Sequence, residues 1–188
     1  MNNSINKNKA IFLDRDGVII EEKNYLHKIE DVSLIPQSAA ALKKLQDAGF
    51  LLIVITNQSG VGRGYFSMED VHKVNSHIQD LLKKEGAYIK KFYIAPESPD
   101  QPSRGRKPSP AFLFDARDEF NINLSNSYVI GDKLIDLECG WNAGVKKAIL
   151  VRTGYGKKTE MENQDKLKQA IIVDDIFEAA NWILNNEG

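Results

Sequence analysis

Along this chain short apolar runs alternate with stretches of helical periodicity, and each run ends abruptly on polar residues. Ala10-Ile11-Phe12-Leu13 stops at Asp14, and Phe50 to Ile55 stops at Thr56-Asn57-Gln58. Lys91 to Ala95, Tyr128-Val129-Ile130, Ala148 to Val151 and Ile171 to Val173 are of the same kind. Runs this short, mostly without period-two alternation, predict strands buried on both faces. Helical patterns lie between them. Pro36 and Ser38 open one, with Ala40, Ala41, Leu42, Leu45 and Ala48 as its apolar face and Gly49 as its stop. Ser67 to Asp70 forms a capping-box start, with Asp where Glu or Gln is usual, ahead of Val71, Val74, Ile78, Leu81 and Leu82. Ser109-Pro110 opens a helix carrying Phe112, Leu113, Ala116 and Phe120. A short helix from Leu134 to Ala143, a polar one near 159–169 and a last one from Asp175 to about Asn186 follow. Residues 15–36 and 96–110 read as loops, the second holding five of the six prolines. Repeated strand–helix units of this kind predict an α/β, Rossmann-like parallel sheet with helices on both faces. Ligands in such sheets bind beyond the carboxyl ends of the strands, which is where the polar clusters fall.

Composition narrows the class. The chain has 188 residues, enough for one domain, read here as residues 10–188 behind a polar leader at 1–9. The leader has no apolar core, so it is not a signal peptide, and no run approaches a membrane span. A formal net charge of −1 gives no electrostatic footprint for nucleic acid. One cysteine makes neither an internal disulfide nor an all-cysteine zinc site. A cytoplasmic protein that is a monomer or weak oligomer, with a small-molecule partner, is the expectation.

Four strand ends carry chemistry. Asp14-Arg15-Asp16-Gly17 places two carboxylates just past the first strand, and Gly17 permits a bend that brings them to one cation; a polar turn is the plainer reading. Thr56-Asn57-Gln58-Ser59-Gly60 offers a hydroxyl and backbone N–H groups, an anion cradle or simply a good turn. Arg106-Lys107-Pro108 supplies a forked and a point cation suited to phosphate, although basic pairs in loops are usually just solvated. Gly131-Asp132-Lys133 adds a further acid and cation, with Asp136 three residues on. Asp136 reads either as support for a metal site or as a helix N-terminal charge.

This order of Asp-x-Asp-Gly, Thr, Lys-Pro and Gly-Asp-x-x-x-Asp resembles the haloacid dehalogenase-like phosphatase superfamily, over roughly residues 10–153. DRDGV, VITNQSGVGRGYF, RKPSP, VIGDKLID and LVRTG are similar to its heptose bisphosphate phosphatase and histidinol-phosphatase group. The resemblance implies a Mg²⁺-dependent phosphoric monoester hydrolase acting through an aspartyl-phosphate. Asp14 would be the nucleophile and Asp16 the acid/base. Mg²⁺ would lie between Asp14, the carbonyl of Asp16 and Asp132. Thr56 and Lys107 would stabilise the transferring phosphoryl group. Positions matching Glu22, Lys23, Asn24, Tyr25, Asn57, Gln58, Ser59, Arg106 and Lys133 would contact substrate, with Arg106 reading a second anionic group. The expected substrate is a sugar bisphosphate, heptose 1,7-bisphosphate before others. Histidinol phosphate is the alternative, and a polynucleotide 3′-phosphatase or a non-catalytic binding module stands further off.

The intervals of about 40 and about 50 residues between Asp14, Thr56 and Lys107 are filled by the helices, strands and loops already read, which leaves no room for a large cap domain. Many relatives carry a structural zinc on a Cys-x-His and a Cys-x-Cys pair in the loop before Arg-Lys-Pro. The matching positions here are Ala95, Glu97, Ser103 and Gly105. They make no usable ligand set, so no zinc is expected.

Overall fold

The computed structural model describes residues 7–187. Six strands form one sheet: β1 (Lys9–Leu13), β2 (Phe50–Asn57), β3 (Ile89–Ala95), β4 (Tyr128–Gly131), β5 (Lys147–Val151) and β6 (Ile171–Val173). Every pairing is parallel and the spatial order is β3-β2-β1-β4-β5-β6. The helices are α1 (Ser38–Asp47), α2 (Ser59–Gly62), α3 (Met68–Lys84), α4 (Ala111–Phe120), α5 (Leu134–Ala143), α6 (Gly156–Glu162) and α7 (Ile176–Asn185). The α/β class holds, and no cap domain interrupts it. Residues 1–6 of the polar leader lie outside the described residues. Its end is already structural, since Asn8 bridges to Ile122 and Lys9 begins β1.

Side chains of a strand alternate between faces, and here both faces are apolar. Ile11, Leu13, Leu52 and Val54 pack with buried residues of α1, α3 and α7. Phe12, Ile53, Ile55 and Val129 pack with those of α4 and α5. Each fully buried Leu, Ile or Phe contributes about 1.5–3 kcal/mol, so the two-sided burial is what makes the sheet the rigid element of the molecule. Trp141 and Trp182 pack at the edges of these two clusters.

The capping box forms as the sequence indicates. Ser67 Oγ accepts from Asp70 N at 3.2 Å, and Asp70 Oδ2 accepts from Ser67 N at 2.9 Å. Several elements differ from expectation. β3 begins at Ile89, a buried residue whose N–H donates to Gln79 Oε1. The polar helix near 159–169 is instead α6, drawn forward because Thr159 Oγ1 donates to Asp132 O at 2.8 Å, after which Asn163 Nδ2 donates to Thr159 O. The single-turn α2 was not expected, since two glycines in four residues oppose a helix. Gly60 is there because the Phe66 ring lies 2.1 Å from where a Cβ would stand.

The register sets up the site. Leu13 pairs with Val54 on one side and Ile130 on the other. Asp14, Thr56 and Asp132 therefore emerge at one edge of the sheet, at the point where chain order reverses about β1.

Candidate active site

Lys107 is the centre of the constellation. Its ammonium lies 2.9 Å from Asp14 Oδ1 and 2.6 Å from Asp136 Oδ1, and donates to Ile55 O at 2.8 Å. The ammonium thus has one carbonyl and two carboxylates around it, and the side chain is almost fully buried. Burial disfavours the charged ammonium, but the two carboxylates outweigh it and hold Lys107 above the ordinary lysine range. The Asn57 side chain fixes the backbone there: Lys107 N donates to Asn57 Oδ1 at 3.1 Å and Asn57 Nδ2 to Lys107 O at 3.4 Å.

Asp14 accepts from Arg15 N at 2.8 Å, and this contact and that from Lys107 both fall on Oδ1. Burial raises its carboxyl, while Lys107 and Lys133 pull it down further, so it rests below the usual carboxylate range. A buried anion with one oxygen anchored is a fixed nucleophile.

Asp132 is fully buried between two glycines of positive φ, and a Cβ at either Gly17 or Gly154 would lie 2.3 Å from its Oδ2. That oxygen accepts from Tyr155 N at 2.8 Å. Its Oδ1 has no hydrogen-bond partner, and Lys133 Nζ stays 3.8 Å away. Burial, then the charges of Asp14 and Asp136, push the carboxyl up to about 8. Oxygens of Asp14, Asp132 and Asp136 lie within 4.8 Å of one another. Three crowded carboxylates and an orphaned buried oxygen suit a hard divalent cation. Asp136 ion-pairs through Oδ1 with Lys107 Nζ, although not in hydrogen-bond geometry, and accepts through Oδ2 from Lys133 N at 2.9 Å. Asp14 and Asp132 are thereby the candidate direct ligands. Asp136 serves both roles left open by the sequence, since it caps α5 and orients the lysine beside the metal position.

Asp16 is not part of that acid cluster. Arg15 grips it with a fork, Nε to Oδ2 at 3.0 Å and NH2 to Oδ1 at 3.1 Å. Gln58 Nε2 donates both to Asp16 Oδ2 at 3.0 Å and to Thr56 Oγ1 at 2.8 Å. Arg15 is 1% exposed and also donates to Asn75 Oδ1 of α3 at 3.1 Å. Sequence reasoning passed over Arg15, because an Arg between two acids carries no local sign that it turns inward. Tyr155 was likewise missed, although it follows directly on the LVRTG segment, whose last residue is Gly154.

A cleft of about 280 Å³ opens over these groups. Asp14, Asp16, Lys107 and Lys133 form its floor, with Glu22, Asn24 and Tyr25 on one wall and Asn57, Gln58, Ser59 and Arg106 on the other. Thr56 lies buried beneath Gln58. Lys133 faces Glu22 at 3.3 Å, and its Nζ sits 4.5 Å from the Tyr155 ring centroid. Burial lifts the Glu22 carboxyl above its ordinary value against the pull of Lys133. Lys23 departs from the expected set: it points away, donating to Asp31 O at 2.6 Å and Ser33 Oγ at 3.2 Å, and does not line the cleft.

Arg106 is half-buried and donates to Glu97 O at 3.1 Å. Desolvation, then the neighbouring Arg63, hold its guanidinium below the usual range. In the loop before it, Ser103 Oγ donates to Glu97 Oε2 at 2.7 Å, Arg106 N donates to Ser103 Oγ at 3.1 Å, and Ser98 N donates to Gln101 Oε1 at 2.8 Å. Cys139 is buried, its thiol pushed up to about 12 by desolvation, and Sγ contacts Ser109 O. No helix among the described residues is long and apolar enough to cross a membrane.

Comparison with known proteins places this geometry in a family. The HAD-hydrolase-like family model matches residues 105–179. A D-glycero-alpha-D-manno-heptose-1,7-bisphosphate 7-phosphatase of Photorhabdus laumondii is 37% identical, over 95% of this chain and 98% of its own length. A D-glycero-D-manno-heptose-1,7-bisphosphate 7-phosphatase of Thermosynechococcus vestitus is 36% identical, over 93% and 94%. Among solved structures, a D,D-heptose 1,7-bisphosphate phosphatase of B. bronchiseptica, complexed with magnesium and phosphate, superposes with a TM-score of 0.88 at 28% identity, covering 94% of this chain and 98% of its own. Identity at this level along nearly the full length, on the same fold, shows that the chain belongs to the heptose-1,7-bisphosphate 7-phosphatase family of haloacid dehalogenase-like hydrolases.

Proposed function

We propose that this protein is a Mg²⁺-dependent phosphatase that removes the 7-phosphate of D-glycero-D-manno-heptose 1,7-bisphosphate. The observation that carries this reading is the buried Lys107 between Asp14 and Asp136, beside the unpartnered oxygen of Asp132. It is a centre built to fix one nucleophilic carboxylate and one cation against a phosphate. Relatives at 37% and 38% identity are named for the alpha and beta anomers respectively, so the proposal is for the bisphosphate and not for one anomer.

A phosphate monoester dianion repels nucleophiles, so catalysis is mostly positioning and charge cancellation. Asp14 attacks phosphorus in line and becomes the aspartyl-phosphate. Lys107 and the Thr56 hydroxyl stabilise the charge that develops on the equatorial oxygens. Lys133 adds a second cation from the floor of the cleft. Asp14 and Asp132 would hold Mg²⁺, whose charge would neutralise the phosphoryl oxygens. Asp16 protonates the departing sugar oxygen and then takes a proton from the water that hydrolyses the acyl phosphate. Arg15 and Gln58 fix where its carboxyl points. Glu22, Asn24 and Tyr25 face the sugar, and Arg106 takes the distal phosphate.

The test is phosphate release with Mg²⁺ from heptose 1,7-bisphosphate, fructose bisphosphate and histidinol phosphate side by side. The expected result is the highest kcat/KM on the heptose ester, and loss of that preference over a monophosphate in Arg106→Ala. A higher kcat/KM on histidinol phosphate than on the heptose ester overturns the substrate assignment.

A further inference from the structure

With no cap domain, something within the core has to hold the wall that faces the sugar. That wall is the segment carrying Glu22, Asn24 and Tyr25. Tyr25 is the unusual residue in it. Its φ is 61°, in the left-handed region, which costs a non-glycine residue about 1–2 kcal/mol. Its ring is 37% exposed yet lines the cleft. What opposes the strain comes from the other loop. The Tyr65 ring meets Tyr25 edge-on, with centroids 4.9 Å apart and planes at 89°. Two residues further on, His27 lies flat on Phe66, with centroids 5.1 Å apart and planes at 7°. His27 Nδ1 is 2.8 Å from Tyr25 O, which joins the two pairs. Phe66 is itself seated on Gly60 at the start of the phosphate-side loop. Two aromatic pairs thus fasten the sugar-side wall to the segment that carries Gln58 and Ser59.

We infer that Tyr65, which does not line the cleft, is a positioning residue for sugar recognition: by packing against Tyr25 it holds that ring where the C–H face of a phosphorylated sugar packs on it. The inference rests on the sugar-phosphate reading given above. An aromatic ring offers an apolar face to the sugar carbons and, in tyrosine, a hydroxyl to their oxygens. A small ester without a sugar makes no use of that wall.

The experiment compares wild type, Tyr65→Ala, Tyr65→Phe, Tyr25→Ala and the Tyr25→Ala/Tyr65→Ala double variant on two substrates, heptose 1,7-bisphosphate and p-nitrophenyl phosphate. Tyr65→Ala is expected to raise KM for the bisphosphate about 3- to 10-fold, the worth of one aromatic pair, with kcat unchanged. Its kcat/KM on p-nitrophenyl phosphate is expected to stay at the wild-type value. Tyr65→Phe should restore KM, because edge-on packing does not need the hydroxyl. The double variant should match Tyr25→Ala alone, since the second ring acts only through the first. Equal losses on both substrates, additive effects in the double variant, or an unchanged KM in Tyr65→Ala each overturn the inference. Should wild type prefer fructose bisphosphate, that ester replaces the heptose in the same comparison, and should it prefer histidinol phosphate, the heptose ester stays as the sugar arm, so the substrate assignment and the role of Tyr65 fail separately.

Discussion

Replacing Asp132 by Asn should make the metal-free protein more stable while removing its response to Mg²⁺. The Asp132 carboxylate sits within 4.8 Å of oxygens of both Asp14 and Asp136. At an effective dielectric near 20, each such repulsion is at least about 3.5 kcal/mol. Lys133 at 3.8 Å returns about 4.4 kcal/mol. The remainder is about 2.5 kcal/mol of net repulsion, before any desolvation of a fully buried carboxylate with one unpartnered oxygen. Asn keeps the shape and the acceptor for Tyr155 N but not the charge. At about 2–4 °C per kcal/mol for a chain of this size, Asp132→Asn in chelator at a pH above about 8, where the wild-type carboxyl is ionised, should melt about 5–10 °C above wild type. Wild type should gain about 2.7 kcal/mol, or about 5–11 °C, when Mg²⁺ is raised to a hundred times its Kd, and the variant nothing. Differential scanning calorimetry with and without Mg²⁺ reads both. A variant that melts below wild type in chelator, or that keeps the Mg²⁺ shift, would falsify the account of Asp132 as a strained, metal-compensated acid.

Asp14→Asn should retain the fold and lose turnover by at least about a thousandfold on every phosphate ester, read as phosphate release; near-wild-type rates would remove Asp14 as nucleophile. Gly17→Ala places a Cβ 2.3 Å from Asp132 Oδ2 at a φ of +83°, so titration calorimetry should show weakened Mg²⁺ binding, and unchanged affinity would contradict the packing. Asn57→Ala frees the Lys107 backbone and should lower kcat on small and sugar esters alike, with about 1–2 kcal/mol lost in denaturant unfolding; an effect confined to the sugar ester would return Asn57 to substrate contact. Asp70→Ala removes one side of the capping box and should lower the urea midpoint with activity unaltered; an unchanged midpoint would show that the cap adds nothing.

The strand ends were legible because burial forces the choice of residues there. A parallel strand covered on both faces must be apolar throughout, so the first charge after Leu13 marks the sheet edge and, with it, the ligand side. The same reasoning finds Thr56 and Asp132, and a four-motif order then makes the family recognisable. It could not find Arg15. Its neighbours in sequence are the two acids, but two of its partners are Asn75, sixty residues on, and Leu26 O across the loop, and a local pattern holds no record of a contact made by α3 folding back. Asn57 lines the cleft as expected but has a second task. An amide after a strand end is a natural ligand donor, yet here both of its polar atoms face the Lys107 backbone. Both cases turn on one physical fact: a residue type states what a group can bond to, while only the packing of elements distant in sequence states which bond is made.

The balance of charge at the site follows the same rule. Net charge over the chain is −1, which says nothing of a centre where Asp14, Asp132 and Asp136 outnumber Lys107 and Lys133 by one. That imbalance is the useful quantity. Near neutral pH the raised Asp132 carboxyl keeps its proton and removes that excess in the metal-free protein; a divalent cation would displace the proton and leave the pocket net positive, which favours a phosphate dianion. Metal first, substrate second is therefore the order the charges favour, and Arg106, set apart on the far wall, keeps a cation for the distal phosphate in either state.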